Sequence, residues 1–598
     1  MKKIKNIIGS AVRAAALGCS SMMTSCTDFL TIYPTNSTIL ENYWKSAEDV
    51  NSMLAACYKN MIDDNTVKRM MIWGELRADN MITRTSASTD LRYIVEANLL
   101  ETNDYFKWNK FYQTINYCNM LLKYAPDVVN QDPDFMTGDL DIVMGEAYAL
   151  RALCHFYLVR SFRDIPLSYE ALDADEQLKP EYPQVDPLVA LDSIMSDLQR
   201  ASTLVMRSGG FTGRTIVATS AQTTKVYDFN TCRITRNAVN AMMADVSLWR
   251  AAFTQYKDNS DTPSAQAIEF YNDAVTYCDE VINAMHAAID EAKEKYSITV
   301  NDMGPGTDNP YYLTANEGVN RNSMISPAYN AIFGATGAVI IGGRSLPTDE
   351  VIFKLVYDGS TNANGAVKDF YGYNKTSGSF MVPGKSAIVG DLYKSSDIRR
   401  YSFTSYPISG SGDDKAEYTI AKYATKSSTL NGGANADCWY GDIKSPADWI
   451  IYRKTDVMLM KALALASRNV AADDLAKSFE LVQAVNRRSI IEKRDSLLPE
   501  EYTTQATMKT LVLDERLREL TYEGKRWYDL VQKALCERTT KNVLDLVIKK
   551  LDSNAGAVQS KMASINSLFC PIHEDELKLN PALKQNPAFE KSSSIERN

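Results

Sequence analysis

The feature of this sequence that most constrains its fold is a fifteen-residue stretch near the C-terminus, residues 516–530. Placed on a single helix, the stretch and its neighbours carry an apolar stripe at three- and four-residue steps. The stripe consists of Leu513, Leu517, Leu520, Gly524, Trp527 and Val531. A glycine inside a helix costs about 1 kcal/mol relative to alanine. Gly524 therefore predicts that the backbone of a neighbouring element comes close beside Trp527.

The adjacent face of the same helix carries Arg516, Glu519, Glu523 and Arg526. This spacing lets carboxylates alternate with guanidinium groups and predicts a half-buried ionic edge. Glu519 and Glu523 also have the spacing of a possible glycosidase pair. A glycosidase needs one carboxylic acid with a raised pKa, whereas two neighbouring arginines lower both pKa values. We therefore interpret the edge as structural.

The chain has 598 residues, which is too long for one small core and predicts two or three interlocked lobes,. Its net charge is −9, and it has no basic arm or stripe of lysine and arginine. This charge pattern argues against nucleic acid as a partner.

The N-terminus has the pattern of a secretory signal. Lysines 2, 3 and 5 and Arg13 precede a short, uncharged, largely apolar stretch, residues 14–25,. Cys26 follows Ser25, the arrangement that a lipoprotein signal peptidase requires, so we expect the mature chain to begin at a lipidated Cys26. Cleavage before Cys19 and ordinary secretion are the alternatives. No later segment has some eighteen consecutive apolar residues, so no further membrane span is expected,.

Eight cysteines follow Cys26, and their spacing offers no compact disulfide framework,. We expect buried free thiols at the five cysteines in helix-like stretches. These are Cys57, Cys118, Cys154, Cys278 and Cys536. The chain has only three histidines, far apart in sequence, which disfavours a histidine metal site or a Ser-His-Asp triad,.

Helical periodicity predicts three pairs that resemble degenerate tetratricopeptide repeats. The pairs are residues 49–61 with 106–124, 235–253 with 267–288, and 449–466 with 471–488. Their spacing never settles at the roughly 34-residue period of a regular array. Further helices are expected over 141–162 and 187–204. Pro126 is expected to end the helix predicted over residues 106–124,.

Two segments lack helical periodicity. Residues 209–230 form a Gly/Thr/Ser-rich stretch that predicts a loop,. Residues 291–447 are rich in Gly, Asn, Ser, Thr and Tyr, with a possible strand at 351–357. We expect five regions: a signal peptide (1–25), an N-terminal helical domain (26–230), a helix pair (231–290), a variable loop-rich region (291–447) and a C-terminal helical region (448–598).

Several ordered motifs resemble the SusD/RagB family of nutrient-binding lipoproteins from Bacteroidota outer membranes. The motifs are Cys26 to Leu30 followed by Pro34, and residues 42–46, 146–152, 156–160, 165–167, 515–530 and 580–587. Arg163 stands where that family usually has glycine, and His573 replaces a common proline. These two departures bear on local turn geometry.

The resemblance implies a mostly α fold, with a tetratricopeptide-like helix-pair scaffold and a loop-rich, partly β ligand-binding region. It implies a surface-exposed, lipid-anchored protein that docks on a TonB-dependent, SusC-like transporter of the outer membrane. In that role the protein captures an oligosaccharide or a peptide and delivers it, without a cofactor and without catalysis. The alternatives are a surface glycosidase and a helical-repeat adhesin that binds only protein.

Exposed rings on loops are the natural partners for sugar faces, with fixed polar groups for the hydroxyl rim. The candidate ligand-binding residues are Asp79, Trp108, Tyr311, Tyr312, Trp439 and Tyr440. Asn80 and Arg84, on the same polar loop as Asp79, are possible hydrogen-bond donors. For each ring the alternative is that it pins its own loop to the core.

Overall fold

The computed structural model of the chain describes most of the N- and C-terminal thirds and short segments between them. The described residues are 43–172, 182–207, 212–217, 223–228, 232–296, 310–313, 326–333, 338–341, 344–347, 350–357, 362–371, 380–384, 392–405, 419–420, 422–423, 447–551 and 554–590. Helices dominate these residues and the strands are short, which confirms the expected mostly α fold.

The α-helices are numbered in chain order. They are α1 (Ala47–Met61), α2 (Asp64–Met71), α3 (Thr89–Val95), α4 (Asn109–Val128), α5 (Thr137–Phe162), α6 (Pro187–Leu204), α7 (Arg236–Asp258), α8 (Ala265–Tyr296), α9 (Pro327–Phe333), α10 (Gly365–Tyr371), α11 (Arg399–Phe403), α12 (Lys454–Arg468), α13 (Asp474–Ser489), α14 (Gln505–Leu520), α15 (Arg526–Glu537), α16 (Lys541–Val547), α17 (Ala555–Lys561) and α18 (Glu574–Leu579). A single π-helical turn, Ile72–Leu76, continues α2.

The described strands form six two-stranded antiparallel ladders. The strands are β1 (Met81–Thr83), β2 (Ile165–Pro166), β3 (Gln184–Val185), β4 (Thr212–Val217), β5 (Thr223–Asp228), β6 (Ala338–Ile341), β7 (Arg344–Pro347), β8 (Val351–Leu355), β9 (Met381–Pro383), β10 (Thr404–Ser405), β11 (Thr419–Ile420) and β12 (Trp449–Arg453). The pairs are β1–β9, β2–β3, β4–β5, β6–β7, β8–β12 and β10–β11.

Successive helices pack side by side and build the scaffold. α1 packs on α4, and each helix from α4 to α7 packs on the next helix along the chain. α8 then packs on α12, which also packs on α13 and α14. Small residues bring some of these helices very close. A Cβ added to Gly145 of α5 would lie 2.7 Å from the backbone nitrogen of Val205, just after α6. Gly145 therefore allows α5 to pack tightly against the end of α6.

Of the described helices, only Thr137–Phe162 is long and apolar enough to cross a membrane, judged by length and composition alone. Its most apolar window is 83% buried inside the fold. This helix, α5, is therefore explained by its place in the core between α4 and α6.

Residues 516–530 do not form one helix, contrary to the prediction. α14 ends at Leu520 and α15 begins at Arg526, and the turn between them holds Tyr522 and Gly524 at φ 67° and 71°. Gly524 therefore occupies the left-handed region, which favours glycine. The predicted close approach is confirmed, because a Cβ on Gly74 of the π-helical turn would lie 1.8 Å from the Gly524 carbonyl oxygen.

Three other boundaries differ from the prediction. Residues 449–453 form β12, whose five side chains are all buried, and the helix begins only at Lys454. Pro126 lies inside α4 and does not end it. The stretch predicted as a loop over 209–230 contains the β4–β5 ladder.

Candidate functional site

The glutamates that suggested catalysis lie in a buried ionic cluster formed by Glu519, Glu523, Arg399, Arg453, Arg488 and Lys422. Glu519 is fully buried and binds Arg453 (Nη1–Oε1 2.7 Å), Arg399 (Nη1–Oε2 3.1 Å) and Arg488. Glu523 binds Lys422 (Nζ–Oε1 2.6 Å) and Arg453 (Nη2–Oε1 2.8 Å).

The electrostatics of the buried ionic cluster disfavour acid catalysis. Burial alone would raise the pKa of Glu519, but the guanidinium groups of Arg488, Arg453 and Arg399 hold that pKa well below its usual value,. The pKa of Glu523 is lowered in the same way, since Arg453 and Lys422 outweigh its burial. Two ionised carboxylates cannot supply the general acid of a glycosidase. The structural interpretation is supported, and the expected half-buried edge is in fact fully buried.

Asp79 belongs to this interior. It is only 3% exposed and holds Arg526 through two bonds, Nε–Oδ1 at 2.8 Å and Nη2–Oδ2 at 3.0 Å. Neighbouring Asn80 is fully buried and donates to Thr521 Oγ1 at 2.8 Å. Asp79 is therefore occupied in holding the α14–α15 turn and presents no face to a ligand in this structure.

Trp108 is also buried. It precedes the first residue of α4, and its ring centroid lies 5.0 Å from that of Phe162 and 5.5 Å from that of Tyr112, both in edge-on contacts. Trp108 packs the start of α4 against the end of α5. Its ring therefore pins its own segment to the core, which is the alternative stated above for each candidate ring.

Tyr311 and Tyr312 are partly exposed and form, with His286, Asp290 and Lys454, what we call the tyrosine shelf. The Tyr312 hydroxyl lies 3.1 Å from Asp290 Oδ1, and its ring stands nearly perpendicular to His286 at 5.1 Å. Lys454 Nζ lies 5.9 Å from the same ring. Tyr312 is held at φ 50°, in the left-handed region,. The shelf thus fixes two adjacent rings against α8 while part of each stays accessible.

The remaining candidates fall elsewhere. Cys26, Trp439 and Tyr440 lie outside the described residues. Of the four ligand candidates that the structure describes, it brings together only Tyr311 and Tyr312.

Two surface clefts were missed by sequence reasoning. One, of about 430 Å³, lies between the α1–α2 junction, α4 and the residues Tyr357, Asn362 and Ala363. Tyr117 and Tyr357 line it. The other, of about 680 Å³, lies over α4, α5 and α6, and Tyr148 and Tyr169 line it. The sequence did not single out Tyr148, because it lies within the helical motif at residues 146–152. Tyr169 could have been identified from its position shortly after Pro166 of β2, at the edge of a polar segment.

Within the described part of the chain, no group of three or more His, Cys, Asp or Glu side chains is arranged to hold a metal ion. The thiols at positions 57, 118, 154 and 278 are free and buried, as expected, whereas Cys536 is partly exposed.

Two family models match the chain. The model described as "SusD family" covers residues 349–589, and the one described as "Starch-binding associating with outer membrane" covers residues 24–228. They match separate parts of the chain, so both ends of the molecule are similar to the same group of proteins.

Individual relatives span nearly the whole chain. A SusD-like protein of Formosa agariphila is 24% identical over 98% of this chain and all of its own length. Among solved structures, a SusD homolog from Bacteroides thetaiotaomicron covers 92% of this chain and 99% of its own, at 17% identity and a TM-score of 0.63. A "putative sugar binding protein" from Bacteroides vulgatus covers 93% of this chain and all of its own, at 19% identity and a TM-score of 0.60. At these identities the structural likeness establishes the fold.

Proposed function

The chain belongs to the SusD family, and from that membership we propose that it is a lipid-anchored protein of the cell surface. In this role it binds an oligosaccharide without altering it and delivers it to a partner TonB-dependent transporter in the outer membrane.

One observation carries the proposal. The matches to the "Starch-binding associating with outer membrane" and "SusD family" models occupy separate parts of the chain, residues 24–228 and 349–589. The first description gives both the ligand class and the membrane association. The pattern ending at Ser25-Cys26 supplies the proposed lipid attachment point,.

The tyrosine shelf is the proposed contact for the sugar. Tyrosine rings present an apolar face to the C–H face of a pyranose, and their hydroxyls bind its polar rim. The bond between Tyr312 and Asp290 and the contact with His286 set the ring orientation before a ligand arrives,. We propose that Trp439 and Tyr440 also contact the ligand.

The charged residues support a protein that binds the oligosaccharide without hydrolysing it. The carboxylate pair that first suggested a glycosidase is buried and held ionised by three arginines and a lysine. Incubation with candidate glycans followed by product analysis checks this point, and any release of shorter sugars contradicts it.

Substitution Tyr312→Ala tests the shelf. We expect binding to the polysaccharide that retards the wild-type chain in affinity electrophoresis to weaken about tenfold, which corresponds to about 1.4 kcal/mol. Tyr256→Ala is a matched control, because Tyr256 is an exposed tyrosine on α7, away from the shelf. Unchanged retardation of both Tyr312→Ala and Trp439→Ala contradicts the assignment of these rings. Retention of peptides but of no polysaccharide transfers the role to peptide import.

A further inference from the structure

The cleft over α4, α5 and α6 has a rigid charged floor. Arg151 and Asp197 are nearly fully buried there and form a two-point ion pair, with Nε–Oδ2 at 2.8 Å and Nη2–Oδ1 at 2.7 Å. The remaining guanidinium nitrogen, Nη1, donates to Asn119 Oδ1 at 2.8 Å. With all three nitrogens bound, the guanidinium plane of Arg151 cannot rotate.

Two tyrosines stack on this floor. The Arg151 guanidinium carbon lies 4.5 Å from the ring centroid of Tyr169 and 5.4 Å from that of Tyr148. The guanidinium carbon of Arg200, on α6, lies 5.7 Å from the ring centroid of Tyr148, on α5. These distances are within the range of cation–π contacts, so the rings are oriented by fixed charges.

The segment carrying Tyr169 is anchored by backbone hydrogen bonds. Asn119 Nδ2 donates to the carbonyl oxygens of Ser168 (3.2 Å) and Glu170 (2.9 Å). Asn116 bonds the Leu172 backbone twice, accepting from its nitrogen at 2.7 Å and donating to its oxygen at 3.1 Å. Tyr169 is thus held in position although 38% of it is exposed to solvent.

Helix packing does not require this arrangement. A buried ion pair stabilises a fold no better than well-packed apolar residues of similar volume, and often worse. An ion pair and two asparagines that together orient a solvent-exposed aromatic ring are what a preorganised binding surface requires.

The chemistry of the lining fits a sugar. The cleft combines the two tyrosine rings with a rim of hydroxyl and cationic donors, from Ser193, Ser196, Arg200 and Lys123. Its volume of about 680 Å³ falls within the usual range of small-molecule sites,. Rings offer a surface to C–H faces, while hydroxyl and guanidinium groups bind sugar hydroxyls or a sugar carboxylate.

We propose that the cleft framed by Tyr148, Tyr169 and the Arg151–Asp197 pair is a second oligosaccharide-binding site on the helical scaffold. It is built from α4, α5 and α6, whereas the tyrosine shelf is built against α8 and α12. The inference rests on the proposed function in one respect, namely that the ligand is a glycan.

The test counts sites by calorimetry on the full chain. The probes are maltoheptaose and a galacturonic acid tetramer, which separate a neutral from an acidic sugar. With the probe that binds, we expect two equivalents per wild-type chain and one per Tyr169→Ala chain, the lost site being at least tenfold weaker. Tyr256→Ala is the control, because Tyr256 is 36% exposed and lies outside the cleft.

A blocking variant keeps the test independent of the stacked ring. Ser196 is exposed on α6 at the cleft wall, so Ser196→Trp fills the cleft without removing a buried contact. We expect it to abolish the same single site, with an unchanged thermal unfolding midpoint.

The outcomes separate the two proposals. Wild-type stoichiometry and affinity in both Tyr169→Ala and Ser196→Trp overturn the second site and leave the proposed function standing. Loss of one site in these variants, with no effect of Tyr312→Ala, supports the cleft and removes the shelf. Failure of the wild-type chain to bind either probe overturns the second site, whereas the proposed function is judged by the polysaccharide panel.

Discussion

At the residue scale, every charged side chain of the buried ionic cluster contacts at least one group of opposite charge. Glu519 faces Arg399, Arg453 and Arg488 in a region from which water is excluded. Neutralising Glu519 removes one of the carboxylates that each of these three arginines contacts and weakens the compensation of their buried charge, which is strongly destabilising,. The stability of the core therefore depends on the charge of single side chains.

We predict that Glu519→Gln lowers the free energy of unfolding by about 3–5 kcal/mol, because three arginines then lose their common carboxylate. Urea unfolding followed by circular dichroism measures the change. Glu500→Gln is the control, since Glu500 is exposed in a short 3₁₀ turn, and we expect a change within about 0.5 kcal/mol,. Equal stability of the two variants contradicts the role given to the buried ionic cluster.

His155 predicts a specific pH dependence. It is fully buried in α5, and burial together with the nearby Arg151 lowers its pKa from 6.5 to about 3. Between these values the unfolded chain binds a proton that the folded chain does not, so stability falls as the pH drops from 6.5 towards 3. From pH 6.5 to 4.5 we expect this residue to remove about 2 kcal/mol.

The comparison with His155→Gln isolates this contribution, because glutamine retains an acceptor for the backbone nitrogen of Ser168 but does not titrate,. Unfolding by urea at pH 6.5 and 4.5 should show a smaller acid loss in the variant. Parallel losses in the two proteins would exclude His155 as the source.

At the scale of elements, two backbone turns from distant parts of the chain cross in close contact and fix the start of α15. The π-helical turn Ile72–Leu76 lies against the α14–α15 turn, and two glycines, Gly74 and Gly524, face each other there. Glu75, in the same π-helical turn, accepts hydrogen bonds from the backbone nitrogens of Tyr522 (2.8 Å) and Lys525 (3.0 Å). A carboxylate from the N-terminal part of the chain therefore caps the start of α15.

We predict that Gly74→Ala prevents stable folding, because the added Cβ would lie 1.8 Å from a backbone oxygen that cannot move aside,. Soluble yield and thermal unfolding report the effect. Gly138→Ala is the matched control, since nothing lies within 4 Å of its added Cβ in the first turn of α5. A Gly74→Ala chain as stable as this control would show that the crossing is not tight.

The two departures from the family pattern also belong to this scale. Arg163 has φ 70° in the turn after α5, a position where glycine carries less strain,. It also donates to Asn566 Oδ1 and pairs with Asp164. His573 caps α18, since its Nδ1 accepts from the Asp575 nitrogen at 3.0 Å. Side-chain hydrogen bonds and an ion pair therefore stabilise these two turns.

At the scale of the whole molecule, we propose a stack of helices tethered through Cys26. Among the described helices, the one that is long and apolar enough to span a membrane is buried in the fold. We therefore propose that the lipid on Cys26 is the membrane anchor. In this proposal the partner transporter moves the ligand, and the lipid anchor keeps the protein with its bound ligand close to the transporter.

We predict that Cys26→Ser releases the protein from the outer-membrane fraction and reduces glycan-dependent growth. Fractionation of the cells with immunodetection measures the first effect, and uptake of the bound polysaccharide the second. Cys232→Ser is the control, because Cys232 is an exposed cysteine far along the chain from the proposed lipid attachment point. A Cys26→Ser protein that stays in the membrane and supports full uptake contradicts the anchor.

Sequence reasoning succeeded where the determinants are local. It placed α6 at Pro187–Leu204, because Asp186 caps the helix and proline suits its first position,. α1 likewise begins with a local capping box formed by Ser46 and Asp49. The ordered motifs likewise identified the family, which the comparisons confirm. The proposed domain boundaries stay predictions.

It failed where a distant residue decides. A continuous apolar stripe masked the break after Leu520, because the turn is held by Glu75, some 450 positions earlier in the chain. Pairing with β8 made a strand of residues 449–453. The candidate ring at position 108 turned inward, whereas Tyr169, held out by Asn116 and Asn119, was missed.

The sequence alone determined the helices that carry their own caps, the family and the proposed lipid attachment point, since each depends on residues that are neighbours in the chain. Only the tertiary structure decided which glutamates are ionised in the core, where the long C-terminal helix breaks and which rings face water. Those properties depend on hydrogen bonds and ion pairs between residues that lie from 31 to 450 positions apart in the chain, and folding alone brings these residues together,.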